Sequence, residues 1–493
     1  MSLDIQLQAL WSSPKLFFTG LAALTIILQT FYEKRKRVSE SRAPMVSYLI
    51  LWVGSALEIG RNLDTFFNRA QRKYGDVFAV KAFGRDITYV VSPPLISEIY
   101  RNPQKYDFGH YRVALTTECF AIPASLIKSD LLSNVLRPAQ HRHLSPTGLG
   151  PTIESHTTAV WDLLEKEGSR FAGVSTPLRD FVLPVLYQSS THAFFGRSCP
   201  VLESYQAFND FDSNFHLLLA GVPRIFLRKS TEGLATMNRL FEKYFDGPHE
   251  DASEYVLESE RVIRDQGYDS KAVGAYFVCF FFALMANMPN AGYWMIVLNL
   301  RREEGVRPLV DEIDEAVTSW KHQNPGQEIE DHLYEFVSTT ELPLLTSTIQ
   351  ETLRYVTSAI SIRRVTEPVE LGGYRFDKGD EIACMTRSVH LDEEIHENAL
   401  EYNPRRYIDQ KGFSKNGKIV TNHSMPWGGG VSMCAGRHFA TRALKSFMVF
   451  LLIRYTLEID PKSSEGPTFV LERVGTGIMQ PRGDLRVILH PRK

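Results

Sequence analysis

The segment Pro426–Arg437, with the sequence PWGGGVSMCAGR, is the most informative part of this chain of 493 residues. Its three consecutive glycines permit backbone conformations that other residues avoid, and they let the chain lie flat against a planar ligand. Cys434 follows, and apolar residues then recur at helical spacing from Phe439 to Phe450. A cysteine just before a helix faces unsatisfied N–H groups and the positive end of the helix dipole, which favour its thiolate form. The pattern predicts a functional cysteine, and the alternative is a glycine-rich turn with a buried cysteine.

Two charged motifs precede this segment. Glu351 and Arg354 are one turn apart in a stretch of helical character, so they can share one face of a helix. Arg406, within Tyr402–Tyr407 (YNPRRY), can join them as a second guanidinium. A Glu-x-x-Arg motif by itself predicts no more than a surface ion pair. In this order and together with the cysteine segment, the motifs are specific.

In combination these motifs resemble the signatures of the cytochrome P-450 superfamily. Trp427, Gly430, Cys434 and Gly436 match the aromatic residue, the two glycines and the cysteine of its haem-binding loop. The resemblance implies a mainly α fold with small β-sheets, and haem b whose iron takes an axial thiolate from Cys434. The residues that the resemblance assigns to structural support of the haem domain are Glu351, Arg354 and Arg406.

The cysteine loop departs from the family pattern at one position. Most members carry an arginine or histidine two residues before the cysteine, where it reaches a haem propionate, and this chain has Ser432 there. Arg363 and Arg364 follow the Glu-x-x-Arg helix at a place similar to that of a propionate-binding arginine, so the resemblance assigns them to cofactor binding. Weaker candidates for the same role are His141, Arg142 and His143.

The stretch 286–294 (ANMPNAGYW) departs further. Most members of the superfamily have an acid beside a threonine here, which relays protons during oxygen activation, and this stretch has no such pair. It resembles a branch that holds the sterol 7α- and 12α-hydroxylases and prostacyclin synthase. In that branch an asparagine with ordered water can stand in for the alcohol, so Asn287 is the predicted catalytic residue over the haem. The alternative is an asparagine that caps a kink made by Pro289.

Composition gives little support to other classes of function. A net charge of −2 gives no argument for binding nucleic acid, and 44% hydrophobic residues are ample for a core. The five cysteines are odd in number and scattered, which indicates neither a disulfide scaffold nor a zinc finger.

The N-terminus carries a candidate membrane anchor. Leu16–Tyr32 is uncharged, and at about 1.5 Å per residue it is long enough for a thin bilayer. The basic run Lys34–Arg37 follows it, which favours a signal anchor over a cleaved signal peptide and leaves the body in the cytoplasm. We expect a single-pass protein of the endoplasmic reticulum membrane. The predicted organisation is a short N-terminal segment 1–15, a transmembrane signal anchor 16–32, a basic and polar linker 33–44 and a haem-thiolate catalytic domain 45–493.

Hydrophobic periodicity predicts the main elements of this domain. Val77–Val80 and Ile87–Val91 alternate around Gly84-Arg85-Asp86 and predict a β-hairpin. Leu95–Glu351 is mainly helical in pattern, and strands are expected at Val369–Tyr374 and Gly475–His490.

One stretch of the helical part allows two interpretations. Ala272–Leu300 carries no charge, which is typical of a second membrane span or of a helix buried on all sides. Polar residues in its middle favour the buried helix. For the aromatic run Phe280–Phe282 within it, core packing is favoured over lining a pocket.

Three functions are compatible with these features. The leading hypothesis is a monooxygenase that oxidises a steroid, terpenoid or related hydrophobic secondary metabolite, which enters from the membrane, with electrons from NADPH delivered by a reductase. A basic cluster could meet an acidic reductase surface or form a solvated helix face; it consists of Arg437, Arg442 and Lys445. The second hypothesis is a haem-thiolate isomerase or dehydratase that needs no external electrons. The third, of another class, is a non-catalytic haem-binding protein.

Overall fold

The computed structural model describes residues 35, 37–48, 50, 52–463 and 466–492. The predicted anchor at 16–32 lies outside the described residues, and the predicted domain boundaries stay predictions. The described residues form two compact units. The smaller unit holds those up to Phe108 together with Ile360–Val389, and the larger holds Gly109–Ala359 and those from His390 onward.

Helices make up most of the described chain, as predicted. In chain order the α-helices are Ala56–Arg61, Leu63–Tyr74, Pro93–Arg101, Gly109–Ala114, Ala124–Lys128, Arg137–His143, Gly150–Phe171, Leu178–Phe195, Val201–Asp212, Phe215–Leu219, Arg228–Asp246, Glu254–Asp265, Ser270–Met285, Met288–Leu300, Arg307–Gln323, Leu333–Thr339, Pro343–Val356, Thr386–His390, Arg406–Asp409 and Arg437–Arg454. The short 3-10 or π turns are Leu115–Cys119, Leu132–Leu136, Arg224–Phe226, Ile329–Asp331, Gly430–Ser432 and Leu471–Arg473.

The β-structure is limited to small sheets. The strands are β1 (Val77–Ala82), β2 (Arg85–Val90), β3 (Tyr106–Asp107), β4 (Thr176–Pro177), β5 (Ile360–Val365), β6 (Val369–Leu371), β7 (Tyr374–Phe376), β8 (Glu381–Met385), β9 (Ser414–Lys415), β10 (Lys418–Ile419), β11 (Tyr455–Ile459), β12 (Thr468–Phe469), β13 (Pro481–Arg482) and β14 (Arg486–Pro491).

The smaller unit is built on a five-stranded sheet with the order β1-β2-β8-β5-β3. The predicted hairpin is present as β1 and β2, which pair antiparallel. Its turn is shorter than the three residues expected, because Phe83 (φ 47°) and Gly84 (φ 76°) suffice for a two-residue turn whose twist matches the strands. Arg85 and Asp86 therefore belong to β2. The predicted strand and turn at Val369–Tyr374 form the β6–β7 hairpin in the same way.

The larger unit is helical around one apolar core. The stretch Ser270–Leu300 is the only one among the described residues that could cross a membrane by length and composition, and 72% of its most apolar part is buried inside the protein. This agrees with the buried-helix interpretation. The stretch breaks at Ala286 and Asn287, and a new helix begins at Met288. Pro289 lies in the first turn of that helix, where its missing N–H removes no helical hydrogen bond.

The aromatic run of this stretch packs mainly into the core. Phe281 and Phe282 are 0% and 8% exposed, whereas Phe280 is half-buried. Core packing therefore holds for two of the three residues.

Candidate functional site

Glu351 is the acceptor at the centre of a buried cluster in the larger unit. Its helix, Pro343–Val356, also carries Arg354, whose Nε and Nη2 donate to the two Glu351 carboxylate oxygens at 2.7 and 2.8 Å. Arg406 Nε donates to the same carboxylate at 2.9 Å, and the backbone N–H of Asn403 adds a fourth bond at 2.9 Å. The predicted grouping of the three charged residues is therefore present in the structure.

The charged groups of this cluster are buried away from water. Glu351 and Arg354 are 0% exposed and Arg406 is 2% exposed, so the charges depend on one another and on fixed hydrogen bonds in place of water. The guanidinium groups direct their remaining N–H groups to backbone carbonyls of an irregular segment between the helix and the cysteine loop. Those carbonyls belong to His390, Ala399 and Glu401 for Arg354, and to Glu397, Asn398 and Glu401 for Arg406. The cluster thus holds in place a segment that has little regular structure of its own.

The cysteine loop is held by its own backbone. The N–H of Cys434 donates to the carbonyl of Trp427 at 3.0 Å, which closes the loop over the glycines. Gly428 and Gly430 have φ of 69° and 62°, a left-handed conformation that favours glycine at both positions. Gly436 directly precedes the helix Arg437–Arg454. A Cβ added at Gly436 would lie 3.8 Å from Cys434 Sγ, an ordinary van der Waals contact, so Gly436 lies directly beside the sulfur.

Cys434 is the one exposed cysteine among the described residues. Its side chain is exposed, yet enough protein surrounds it that loss of water raises the pKa of the thiol. The N–H groups of Gly436 and Arg437 and the Arg437 guanidinium oppose that rise. The expected N–H groups are thus present and favour the thiolate, while burial opposes it. A bound cation would displace the proton, as it does at other thiolate metal sites.

The loop fits a haem group. It offers a soft, accessible sulfur, glycines that allow close approach, and an apolar surface in which Val431 and Met433 are 61% and 37% exposed. The other four cysteines are unpaired and lie apart from this loop in the sequence. Among the described residues no cluster of histidine, cysteine and carboxylate side chains offers an alternative metal site.

Arg363 and Arg364 lie on β5 in the smaller unit, where alternation sends them to opposite faces. Arg363 is 4% exposed, its guanidinium lies 4.4 Å from the centre of the Phe108 ring, and burial lowers its pKa. Arg364 is exposed. Because the two side chains lie on opposite faces of the strand, they do not point toward one common anionic group. The buried Arg363 is the better candidate for binding a propionate. Its role in binding a propionate stays a prediction.

The weaker candidates have other partners. Arg142 and His143 bind the carboxylate of Glu258 at 2.5 and 2.6 Å. His141 is exposed, and its pKa is lowered by burial and by the nearby charges of Arg137 and Arg437. Arg137 itself donates to the carbonyl of Val431 in the cysteine loop at 3.2 Å. Sequence reasoning missed Arg137, although its place one turn before His141 was a usable signal.

The basic cluster after the cysteine is smaller than predicted. Lys445 is half-buried and donates to the carbonyls of Val337 and Thr340, both at 2.7 Å. Arg442 donates to the carbonyl of Pro146 at 3.2 Å. A partner surface would therefore meet Lys445 only at the expense of these bonds.

Asn287 lies at the break of the central helix but does not cap it. Its Oδ1 accepts a hydrogen bond from the N–H of Ile478 at 3.0 Å, and its amide group reaches the carbonyl of Ala283 at 3.5 Å. Gly477 (φ 125°) lies so close that any side chain there would collide with Asn287. The kink is thus present as the alternative predicted, while the side chain holds a second loop. A catalytic role for Asn287 stays a prediction.

This second loop, residues 475–480, was predicted as strand and is irregular. Besides Asn287 it binds Ser358, whose N–H donates to the carbonyl of Gly477 at 2.8 Å. The backbone carbonyl of Met479 accepts a hydrogen bond from Trp294 Nε1 at 2.6 Å, so both ends of the stretch 286–294 contact the loop. Two glycines at positions 475 and 477 were the signal that could have excluded a strand.

One face of the helix Ser270–Met285 remains partly accessible although protein surrounds it. Burial raises the pKa of Cys279 to about 12, yet its side chain is not fully covered. From Tyr276 onward the accessible positions recur at helical spacing and are Tyr276, Cys279, Phe280, Ala283, Leu284 and, just beyond the helix, Asn287. They form a mainly apolar face of the helix.

Comparison with known proteins shows which proteins this chain resembles. Residues 263–487 match the family described as "Cytochrome P450". Similar proteins include "Cytochrome P450 7B1" of Mus musculus, 26% identical over 94% of this chain and 93% of that protein. The "7-alpha-hydroxycholest-4-en-3-one 12-alpha-hydroxylase" of Homo sapiens is 25% identical over 91% of this chain and 93% of that protein. "Prostacyclin synthase" of Rattus norvegicus is 24% identical over 89% and 91%.

A solved structure shows the same fold. The "Retinoic acid bound cyanobacterial CYP120A1" superimposes with a TM-score of 0.69 at 16% identity, covering 92% of this chain and 99% of that chain. The predicted fold class is confirmed for the described residues.

Proposed function

We propose that this chain is a haem-thiolate monooxygenase of the cytochrome P-450 family that acts on a steroid, terpenoid or related hydrophobic metabolite; the family match over residues 263–487 and the similar proteins support this. The observation that carries the proposal is the exposed Cys434, which lies just before the helix Arg437–Arg454 in a loop whose Gly428 and Gly430 have the left-handed conformation. When bound there, haem supplies the oxygen-activating chemistry, and a thiolate ligand favours O–O cleavage.

The residues of this chain have separate tasks in such a reaction. Cys434 holds the iron, and the N–H groups of Gly436 and Arg437 stabilise its negative charge. Arg363 supplies a buried positive charge for a propionate. The amide of Asn287, whose oxygen is engaged by Ile478, still offers an N–H group for a water or a substrate oxygen.

The substrate class rests on two supports. The partly accessible face of the central helix is apolar from Cys279 to Leu284 and ends at Asn287, which suits a hydrophobic molecule with few polar groups. Several relatives of similar length act on sterols by their names, such as the "Cholesterol 7-alpha-monooxygenase" of Cricetulus griseus. We include in the proposal that the substrate reaches the site from the membrane.

Electron supply and location complete the proposal. Electrons come from NADPH through a membrane-bound reductase, and the chain sits on the cytoplasmic side of the endoplasmic reticulum membrane, held by one N-terminal span. The uncharged run at 16–32 followed by basic residues supports this arrangement.

An isomerase or dehydratase that takes no external electrons is the second candidate. Two observations favour it. The central helix has no acid–threonine pair at its break, and the carboxamide oxygen of Asn287 is already used by Ile478. One of the similar proteins is named a synthase.

Spectra of membranes containing the protein separate the two candidates. We expect carbon monoxide to give the red-shifted thiolate band after reduction by dithionite, and also after reduction by NADPH with a reductase. A band with dithionite alone, in the presence of a bound sterol, would favour the isomerase.

Cys434→Ala tests the assignment of the ligand. The variant should lose the thiolate band and all turnover, because alanine has no atom that can bind iron. Unchanged turnover in this variant would refute the proposed function. Cys199→Ala is the control, since Cys199 is also a free cysteine but is buried in the apolar core of the larger unit.

A further inference from the structure

His390 lies between the buried charged cluster and the cysteine loop. Its backbone carbonyl accepts a hydrogen bond from Arg354 Nη1 at 2.6 Å. Its imidazole Nε2 lies 2.8 Å from the backbone nitrogen of Met425, one residue before the loop begins. His390 is 0% exposed, so water cannot replace either contact. One residue therefore contacts the cluster through its backbone and the loop through its side chain.

The chemistry of the second contact sets the state of the ring. A backbone N–H can only donate, so Nε2 of His390 must carry a lone pair. His390 is therefore neutral, with its proton on Nδ1. The other tautomer, or the protonated ring, would place an N–H group against the N–H of Met425.

The hydrogen bonds continue from Met425 into the loop. The carbonyl of Met425 accepts from the N–H of Gly428 at 3.1 Å, and the carbonyl of Trp427 accepts from the N–H of Cys434 at 3.0 Å. Between these points the chain passes through glycines in the left-handed conformation, which gain little rigidity from their own side chains. The start of the loop therefore needs an external support, and His390 is the side chain that provides it.

We propose that His390 is a positioning residue that couples the Glu351–Arg354 cluster to the cysteine loop and so sets where Cys434 presents its sulfur. The inference rests on the proposed function, in which Cys434 binds haem iron. It assigns to the motif around Glu351 a defined route, through one imidazole acceptor, to a thiol more than 80 residues away in the chain.

Two substitutions separate the acceptor from mere packing. In His390→Gln the amide oxygen can reach the place of Nε2 and accept from Met425. In His390→Leu the side chain fills much of the same volume without an acceptor. His156→Leu is the matched control, because His156 is also 0% exposed and its Nε2 bonds to Ser189 and not to the loop backbone, although its ring packs on Phe439 in the following helix.

The first measurement is hydrogen exchange of the peptide that contains Met425, made on the full-length protein in detergent. Loss of the only acceptor of a buried N–H should accelerate its exchange about 10- to 100-fold in His390→Leu. We expect exchange close to wild type in His390→Gln and in His156→Leu. Far-UV circular dichroism checks that each variant is folded, and the glutamine variant remains informative if the leucine variant is not.

The second measurement is the share of bound haem that gives the thiolate band with carbon monoxide. It should fall in His390→Leu and recover in His390→Gln. Wild-type exchange and spectra in His390→Leu would overturn the proposal, and so would an equal loss in both variants, because the acceptor would then be irrelevant. If the wild-type protein shows no thiolate band, the proposed function fails, while the exchange rates still decide the role of His390.

Discussion

Replacing Glu351 by glutamine would test the buried charged cluster most directly. The substitution keeps the size and shape of the side chain and removes only its charge. Each carboxylate oxygen accepts two hydrogen bonds: one takes Arg354 Nη2 and the N–H of Asn403, and the other takes Arg354 Nε and Arg406 Nε. A glutamine oxygen can keep one of these pairs. Its amide group would then face the donors of the other pair.

The magnitude follows from this count. Two charge-assisted hydrogen bonds are lost, at about 1.5–3 kcal/mol each, and two guanidinium groups stay buried without a counter-charge. Removal of one partner from a buried ion pair costs about 3–5 kcal/mol by comparison with other proteins. We therefore expect Glu351→Gln to lower the free energy of unfolding by about 3–5 kcal/mol.

Urea unfolding followed by far-UV circular dichroism measures this change. The matched control is Asp409→Asn, which also turns a carboxylate facing an arginine into an amide. Its ion pair with Arg405 is roughly half exposed on both sides, at 54% and 53%, so it should cost less than about 1 kcal/mol. If Glu351→Gln costs no more than Asp409→Asn, the cluster does not hold the structure as argued here.

Three further predictions concern other parts of the larger unit. Asn287→Ala should cost about 1–3 kcal/mol in urea unfolding, because the buried N–H of Ile478 loses its acceptor; a cost near zero would show that the second loop needs no such bond. Burial holds the pKa of His156 at about 3, below its value in the unfolded chain, so stability from its neutral ring is complete above the unfolded pKa and is lost as the pH falls. At pH 5 the loss is about 2 kcal/mol relative to neutral pH, and His156→Leu should abolish that share of the pH dependence. Glu312→Ala should lower the melting temperature and reduce the free energy of unfolding by about 1–2 kcal/mol, since the Glu312 carboxylate accepts from two N–H groups in the first turn of the helix Pro343–Val356. Its control is Glu315→Ala, because Glu315 lies on the same helix as Glu312, Arg307–Gln323.

Residues that act through local sequence patterns were predictable. Cys434, Glu351 and Arg354 belong to short motifs whose spacing reflects a loop before a helix and one helical turn, and the structure places them accordingly. The buried character of Ser270–Leu300 followed from the polar residues at its middle. These features depend on neighbours in the chain, which one sequence contains.

Residues that act across the chain were not predictable in the same way. The bond between Asn287 and Ile478 joins positions 191 apart, and nothing in either segment specifies the other. His390 and Met425 are 35 residues apart, within and at the end of an irregular stretch without periodicity. The burial that opposes the thiolate of Cys434 could not be predicted for a related reason, because the sequence shows the helix start but not the protein around the sulfur.

The four hydrogen bonds on Glu351 also bear on the life of the protein in the cell. Two of them, from Asn403 and Arg406, join the helix Pro343–Val356 to a stretch some fifty residues further along, and between His390 and Met425 that stretch has only very short helices and strands. Such a stretch opens as one unit when its closure fails, because few bonds inside it resist. Chains in which these hydrogen bonds have not formed would offer a protease an extended, accessible substrate, whereas fully folded chains would not. We therefore expect substitutions in the cluster to raise the susceptibility of the stretch between His390 and Met425 to proteases.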